Sequence, residues 1–204
     1  PKVAYVMDAT NNRIELNFQR TAKNKHLIVI DPGHGGKDPG AMRGSVVEKK
    51  IVLSVGNFLK EELSKDFNVI MTRDSDVFVV LSQRPKIANK SNAKLFVSIH
   101  ANASESKNAN GVEVFYFSKK SSPYAERIAN FENTIGEQYG DSSDKIIQIS
   151  GELAYKKNQE NSIRLAKKIV ENISSGLELR NGGVHGANFA VLRGFNGTGV
   201  LIEL

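Results

Sequence analysis

The stretch "HLIVIDPGHGGKDPG", residues 26–40, decides how this chain is read. Leu27 to Ile30 form a short, continuous apolar run, the pattern of a strand buried on both faces. The sequence then turns abruptly to glycine, proline and charge around one histidine, His34. Such a loop suits a phosphate cradle, a turn that happens to carry a histidine, or the first piece of a metal site. The phosphate reading fails on its own terms. A phosphate loop follows its Gly-Lys with Ser or Thr, whereas Gly36-Lys37 is followed by Asp38, which would repel a phosphate. The dinucleotide fingerprint fails too, because no helix starts at the glycines. Lys37 and Asp38 are read as residues that shape the turn.

Working outward, helix and strand patterns alternate. Glu48 to Leu63 carries Ile51, Val55, Phe58, Leu59 and Leu63 at helical spacing. "FNVIMTR" reads as a second strand, residues 82–91 as a short helix, "AKLFVSIHA" as a third strand and "GVEVFYFS" as a fourth. This rhythm indicates an α/β domain with a mixed, mostly parallel sheet flanked by helices. Residues 119–182 interrupt it with long polar, helical patterns, one from about Pro123 to Gln138 and another with Ile163, Ala166, Ile169, Val170 and Ile173 on one face. They read as a helical insertion before the last strands, "FAVLR" and "GVLIEL". Residues 1–26 are polar and irregular apart from "RIELNF", and are read as a tail or edge strand before the domain at 27–204.

Composition narrows the function. The chain has 204 residues, 40% hydrophobic and 25% charged, which suits one soluble domain. Cysteine is absent, which excludes Cys-based structural zinc sites and cysteine nucleophiles. The net charge is +6, but the lysines are scattered, so nucleic acid is not the expected partner; an anionic cell envelope fits better. No apolar run reaches membrane-spanning length. The chain opens on Pro1 without a leader, so it is expected to be a fragment lacking any export signal.

The chemistry-bearing residues gather at strand ends, where ligands bind in open α/β sheets. His34 follows the first strand, His100 ends the third, Glu48 starts the first helix, and Glu203 ends the last strand. An acid that terminates an apolar, buried strand is costly unless paired or used. These residue types suit a catalytic zinc with a carboxylate acting as general base. They are also readable, and on spacing alone more readily, as hydrogen-bonded polar groups at strand ends. Among the other marked residues, His26 reads as a solvated loop residue. His185 reads either as a substrate contact that polarises a carbonyl or as loop packing. Asn102 reads as a residue supporting His100, and Arg73 and Arg84 as ion-pair partners or substrate clamps. On the Pro123–Gln138 helix, Glu132 falls on the apolar face of Ala125, Ile128, Ala129 and Ile135, and so needs a cation or a donor; an ion pair with one of the many lysines or arginines is one reading.

Together "IVIDPGHGGKDPGA", "EKKIVLSVGNFLKEEL", "VIMTRDSDVFVVLSQRPKIAN", "LFVSIHANA", "GVEVFYFS" and "FAVLRGFNGTGVLIEL" resemble, in order over residues 27–204, the zinc-dependent N-acetylmuramoyl-L-alanine amidases. The resemblance implies one zinc on His34, Glu48 and His100, Glu203 as catalytic residue, peptidoglycan as substrate, and an exported protein of the periplasm or cell envelope. It also implies that the chain continues past Leu204 with a short Gly-Phe stretch. The helical insertion, with "FEN" inside it, is similar to that of cell-division amidases whose extra helix covers the site until an activator protein displaces it. On that resemblance Glu132 is the autoinhibitory ligand, although "FENTIGEQYG" departs from the usual continuation. A peptidoglycan-binding module without activity and a zinc peptidase acting within the stem peptide are the other readings.

Overall fold

The computed structural model describes residues 2–8, 13–19, 25–101, 110–138 and 145–204; of 2–8, 13–19, 135–137 and 145–155 it describes the backbone course alone. The chain runs β1 (Lys2–Asp8), β2 (Arg13–Gln19), β3 (Leu27–Pro32), β4 (Met42–Arg43), β5 (Val46–Val47), α1 (Glu48–Leu63), β6 (Asn68–Met71), α2 (Gln83–Lys90), β7 (Leu95–His100) and β8 (Val112–Phe117). It continues with α3 (Pro123–Gln138), α4 (Lys145–Gly176), β9 (Asn181–Ala187), α5 (Ala190–Arg193) and β10 (Thr198–Glu203). Six strands form the main sheet in the order β6-β3-β7-β10-β8-β9. All neighbours are parallel except β10 and β8. "RIELNF" lies in β2, which pairs antiparallel with β1 in a separate two-stranded sheet rather than on an edge of the main one.

Strand alternation sorts the core into two layers. Ile30, Val97, Ile99, Val114, Val200 and Ile202 point to one face, where Val52 of α1 and Ala166 and Val170 of α4 close over them. Val29, Phe96, Phe115, Phe117 and Leu201 point to the other, under Ala88 of α2, Ala125 and Ala129 of α3, and Val191 and Leu192 of α5. The C-terminal half of α4 is thus a scaffold layer, although it belongs to the stretch read as an insertion. Each large apolar side chain buried this way contributes about 1.5–3 kcal/mol.

Three local expectations change. "FAVLR" is not a strand. Phe189 is extended, and Ala190–Arg193 form a helical turn whose first N–H is capped by Asn133 Oδ1 at 2.8 Å. The strand beside β8 is instead "NGGVHGA", whose glycines hide it from an apolar-run reading and which begins at Asn181, inside the stretch read as helical. Finally, α1 is rotated. Glu48, Val52 and Gly56 face inward, whereas Ile51 is 38% and Phe58 71% exposed. The rotation follows from Glu48, whose carboxylate is held inside by the N–H groups of Ala41 (2.8 Å) and Ala101 (2.9 Å).

Candidate metal centre

The site lies at the C-terminal ends of three adjacent parallel strands, β3, β7 and β10. On the face that carries Val29, Phe96 and Leu201, the next inward positions toward those ends are Asp31, Ser98 then His100, and Glu203. The face therefore changes from apolar to ionisable along its length. His34 joins from the loop after β3 and Glu48 from the start of α1. The loop is tightly folded: a Cβ on Gly33 would stand 2.6 Å from the His100 ring, and one on Gly40 2.6 Å from both His34 and Glu48. His34 itself adopts φ 59°, a left-handed conformation unusual for a non-glycine residue. Its carbonyl accepts a hydrogen bond from Arg84 Nη2 at 2.9 Å.

His34, Glu48, His100 and Glu132 converge. Glu48 Oε1 stands 3.1 Å from His34 Nε2 and 3.3 Å from His100 Nδ1. Glu132 Oε2 approaches the same two nitrogens at 3.6 and 3.3 Å. Among the described residues neither nitrogen has a hydrogen-bond partner, since none of these approaches has hydrogen-bond geometry, and both atoms are buried. Ligands bound at 2.0–2.1 Å to a tetrahedral ion are separated by about 3.3–3.4 Å. The observed spacings surround that value, so the donor set fits a metal ion. His34, His100 and Glu132 form the cluster whose ligand atoms all lie within 4.8 Å of one another. Asp38 adds the orienting contact: its Oδ2 accepts from His34 Nδ1 at 2.9 Å, which aims Nε2 at the centre.

Electrostatics point the same way. Burial would depress the His34 pKa, but the bond to Asp38 and the Glu48 and Glu132 carboxylates raise it to about 10. His100 is raised likewise, burial being outweighed by Glu132 and Glu48. Burial raises Glu132, and the nearby imidazoles only partly relieve it while Glu48 and Asp38 add to it. Glu203 is pushed up to about 8, chiefly by burial, and its Oε2 has no hydrogen-bond partner. Several buried carboxylates around two imidazoles form a field that holds protons, and a divalent cation can replace those protons.

The other sequence candidates are distributed as follows. His185 does not join the cluster. It sits on the edge strand β9, its Nε2 3.0 Å from the Gly182 carbonyl oxygen and its ring against Phe115 and Tyr124, contacts that favour packing. Asn102 lies outside the described residues. Arg84 pairs with Asp31 at 2.9 Å. Among the described residues Arg73 bonds to main-chain carbonyls rather than to an acid. His26 is exposed. Glu132 finds the two imidazoles rather than a lysine or arginine. Sequence reasoning missed Asp38 as the partner of His34; the four-residue offset within a glycine turn was the available signal. It also missed Glu113, the cross-strand neighbour of Glu203, which accepts from Tyr124 at 2.6 Å.

The chain is thus an α/β domain with a buried histidine–carboxylate cluster, able to hold a metal ion, at the ends of its parallel strands. Residues 28–204 match the sequence profile described as N-acetylmuramoyl-L-alanine amidase, and the chain belongs to that family. It is similar to N-acetylmuramoyl-L-alanine amidase AmiC of Neisseria meningitidis serogroup B, 33% identical over 184 residues, which are 87% of this chain and 44% of that protein. It is also 33% identical to AmiA of Escherichia coli K12 over 187 residues, 88% of this chain and 65% of that one. The chain thus spans between 44% and 65% of the length of these curated relatives. Among solved structures, the N-acetylmuramoyl-L-alanine amidase from Clostridium difficile 630 superposes with a TM-score of 0.65 at 29% identity, over 88% of this chain and 79% of that one. The CwlD amidase from Clostridioides difficile, solved in complex with the GerS lipoprotein, does so with a TM-score of 0.63 at 28% identity, over 88% and 81%.

Proposed function

We propose that the protein is a zinc-dependent hydrolase that cleaves the amide between the lactyl group of N-acetylmuramic acid and L-alanine in peptidoglycan, and that α3 keeps it silent until a partner moves the helix. The observation that carries this reading is the pair of buried, unpartnered imidazole nitrogens, His34 Nε2 and His100 Nδ1, facing Glu48 Oε1 at 3.1 and 3.3 Å. These three residues would hold the zinc. When bound, zinc polarises a carbonyl and lowers the pKa of water. Asp38 keeps His34 aimed at the ion, and the backbone N–H groups of Ala41 and Ala101 keep the Glu48 carboxylate in place. Glu203 takes the proton of the attacking water and returns one to the leaving amine, which departs only when protonated. A buried carboxyl beside His100 suits a group that must both accept and donate.

Glu132 supports the silencing part of the reading. It occupies the space beside His34 and His100 where a substrate carbonyl and water must come. The helical stretch would be displaced by an activator protein, as in the cell-division amidases it resembles; the complex of CwlD with GerS supports a protein partner. An exported location in the periplasm or cell envelope, and a role in cell separation, follow from the same reading. Among the described residues no helix is long and apolar enough to cross a membrane.

The test is a digest of purified peptidoglycan, by the parent and by Glu132→Ala, read by mass spectrometry. Free stem peptides with intact glycan strands are expected. Cleavage within the stem would make the protein a peptidase, and retention on the wall without cleavage a binding module. Alongside, the parent should carry one zinc per chain, and His34→Ala should lose zinc and activity together; zinc content unchanged in that variant would sink the ligand assignment.

A further inference from the structure

Beneath the cluster lie two buried guanidinium groups with different partners. Arg84 has an acid, Asp31. Arg73 is 3% exposed, and the hydrogen bonds it donates among the described residues all go to main-chain carbonyls. Its Nε reaches the Pro32 oxygen at 3.0 Å, its Nη2 the Gly33 oxygen at 2.7 Å and the Lys49 oxygen at 2.9 Å, and its Nη1 the Ser75 oxygen at 3.1 Å. Pro32 and Gly33 lead directly into His34, and Lys49 directly follows Glu48. One planar group therefore fastens together the backbones that carry two prospective metal ligands. The nearby Asp31, Asp76 and Asp38 carboxylates offset part of the cost of this burial, but a buried cation with no acid bonded to it remains costly, so a site that needed only filling would be better served by an apolar side chain. The loop also makes room for it. Gly35 has φ +125°, and a Cβ there would stand 2.2 Å from the Val77 carbonyl oxygen and 2.9 Å from Arg73 Cδ and Nε.

We propose that Arg73 is a positioning residue for the metal, setting the separation of His34 and Glu48 before the ion arrives. The inference rests on the reading of His34, Glu48 and His100 as metal ligands. It also explains why arginine stands here. A lysine ammonium is a point donor without the planar fork needed to span Pro32, Gly33 and Lys49.

The experiment compares the parent with Arg73→Lys, Arg73→Ala, His34→Ala and Val170→Ala. Val170→Ala opens the remote α4 core and serves as a control for general destabilisation. Two quantities are read: zinc affinity by competition with a chelator, and the visible absorption spectrum of the cobalt(II)-loaded protein, which reports ligand geometry. Arg73→Lys should bind zinc about 10–100-fold more weakly and show an altered cobalt spectrum. Arg73→Ala should regain part of the lost affinity on addition of millimolar guanidinium. Val170→Ala should keep the parental values. Parental zinc affinity and spectrum in Arg73→Lys would overturn the proposal. So would an equal loss of affinity in Val170→Ala, or failure of both Arg73 variants to fold, because each makes Arg73 a general stabiliser. A parent without zinc, or His34→Ala binding zinc like the parent, would instead overturn the ligand assignment on which the proposal stands.

Discussion

Two buried polar groups of residues lie side by side at the ends of β3 and β7, and they are built to opposite rules. In the first, Asp31 is fully enclosed and accepts from Thr72 Oγ1 at 2.6 Å, Ser98 Oγ at 2.8 Å and Arg84 Nη1 at 2.9 Å. Among its described members, none is left without a partner. In the second, one step further toward the ends of β3, β7 and the adjacent β10, His34 Nε2, His100 Nδ1 and Glu203 Oε2 are buried and, among the described residues, unpartnered. Leaving a buried polar group unsatisfied costs about 1–3 kcal/mol. A chain able to build the complete first network could have completed the second. On the proposed function, the difference separates polar groups that hold the fold from a reactive group kept available for a ligand and a reaction. Arg84 joins the two, since the guanidinium that neutralises Asp31 also binds the His34 carbonyl.

The contrast breaks most visibly at Glu203. If this carboxyl belongs to the reactive group, Glu203→Gln should keep its zinc and its melting temperature while turnover falls by about 10²–10⁴-fold. A fall of less than about tenfold, or a large loss of stability, would move Glu203 into the structural group.

Asp31→Asn sharpens the other side. Burial alone would raise the Asp31 pKa, but the Arg84 charge and the bonds from Thr72, Ser98 and Arg84 hold it below its ordinary value of 3.8. A depressed folded-state pKa contributes stability above the unfolded value, and that contribution is lost as pH falls through the folded one. The parent should therefore lose stability on acidification below about pH 4, and the asparagine variant should lose less over that range because it begins without the contribution. Removing one partner of a buried pair costs about 3–5 kcal/mol, roughly 10 °C in a domain of this size. Thermal melts across pH measure it; a variant melting within about 2 °C of the parent would show that the paired network contributes little to stability.

The reactive group was more legible in the sequence than the supporting one. His34, His100 and Glu203 close apolar runs, and a costly residue at such a place draws attention to itself. Glu48 and Glu132 were visible as acids at the start and on the apolar face of helical patterns. Asp31 also closes an apolar run, yet its partners Thr72, Arg84 and Ser98 come from three other elements, and only the sheet order brings them together. Asp38 reads as a turn residue in the sequence because a glycine-rich turn explains an aspartate without help from its neighbours. β9 carries no apolar alternation because glycines fill much of this edge strand, and "FAVLR" reads as strand because one buried helical turn has no periodicity to display.

Glu132 belongs to neither group by sequence position, and its variant should give the smallest effect. It enters the reactive group from α3, which is seated by Ala125 and Ala129 in the core, by Tyr124 on Glu113, and by Asn133, which donates to the Asn188 carbonyl at 2.9 Å and accepts from Ala190. On this helix of 16 residues, Phe131, next to Glu132, remains 59% exposed. Such a helix can rest closed and still be moved by a partner. A closed state favoured by about 1.4 kcal/mol would keep about nine-tenths of the molecules silent. Glu132→Ala should then raise basal peptidoglycan hydrolysis about tenfold without any activator, while Asn133→Ala, which loosens the seat and leaves Glu132 in place, should raise it less. Release of soluble stem peptide from purified wall measures both. Equal activity in parent and Glu132→Ala, with the parent already fast, would mean that Glu132 merely packs against the imidazoles, and that the reactive group is open to its substrate in the free protein.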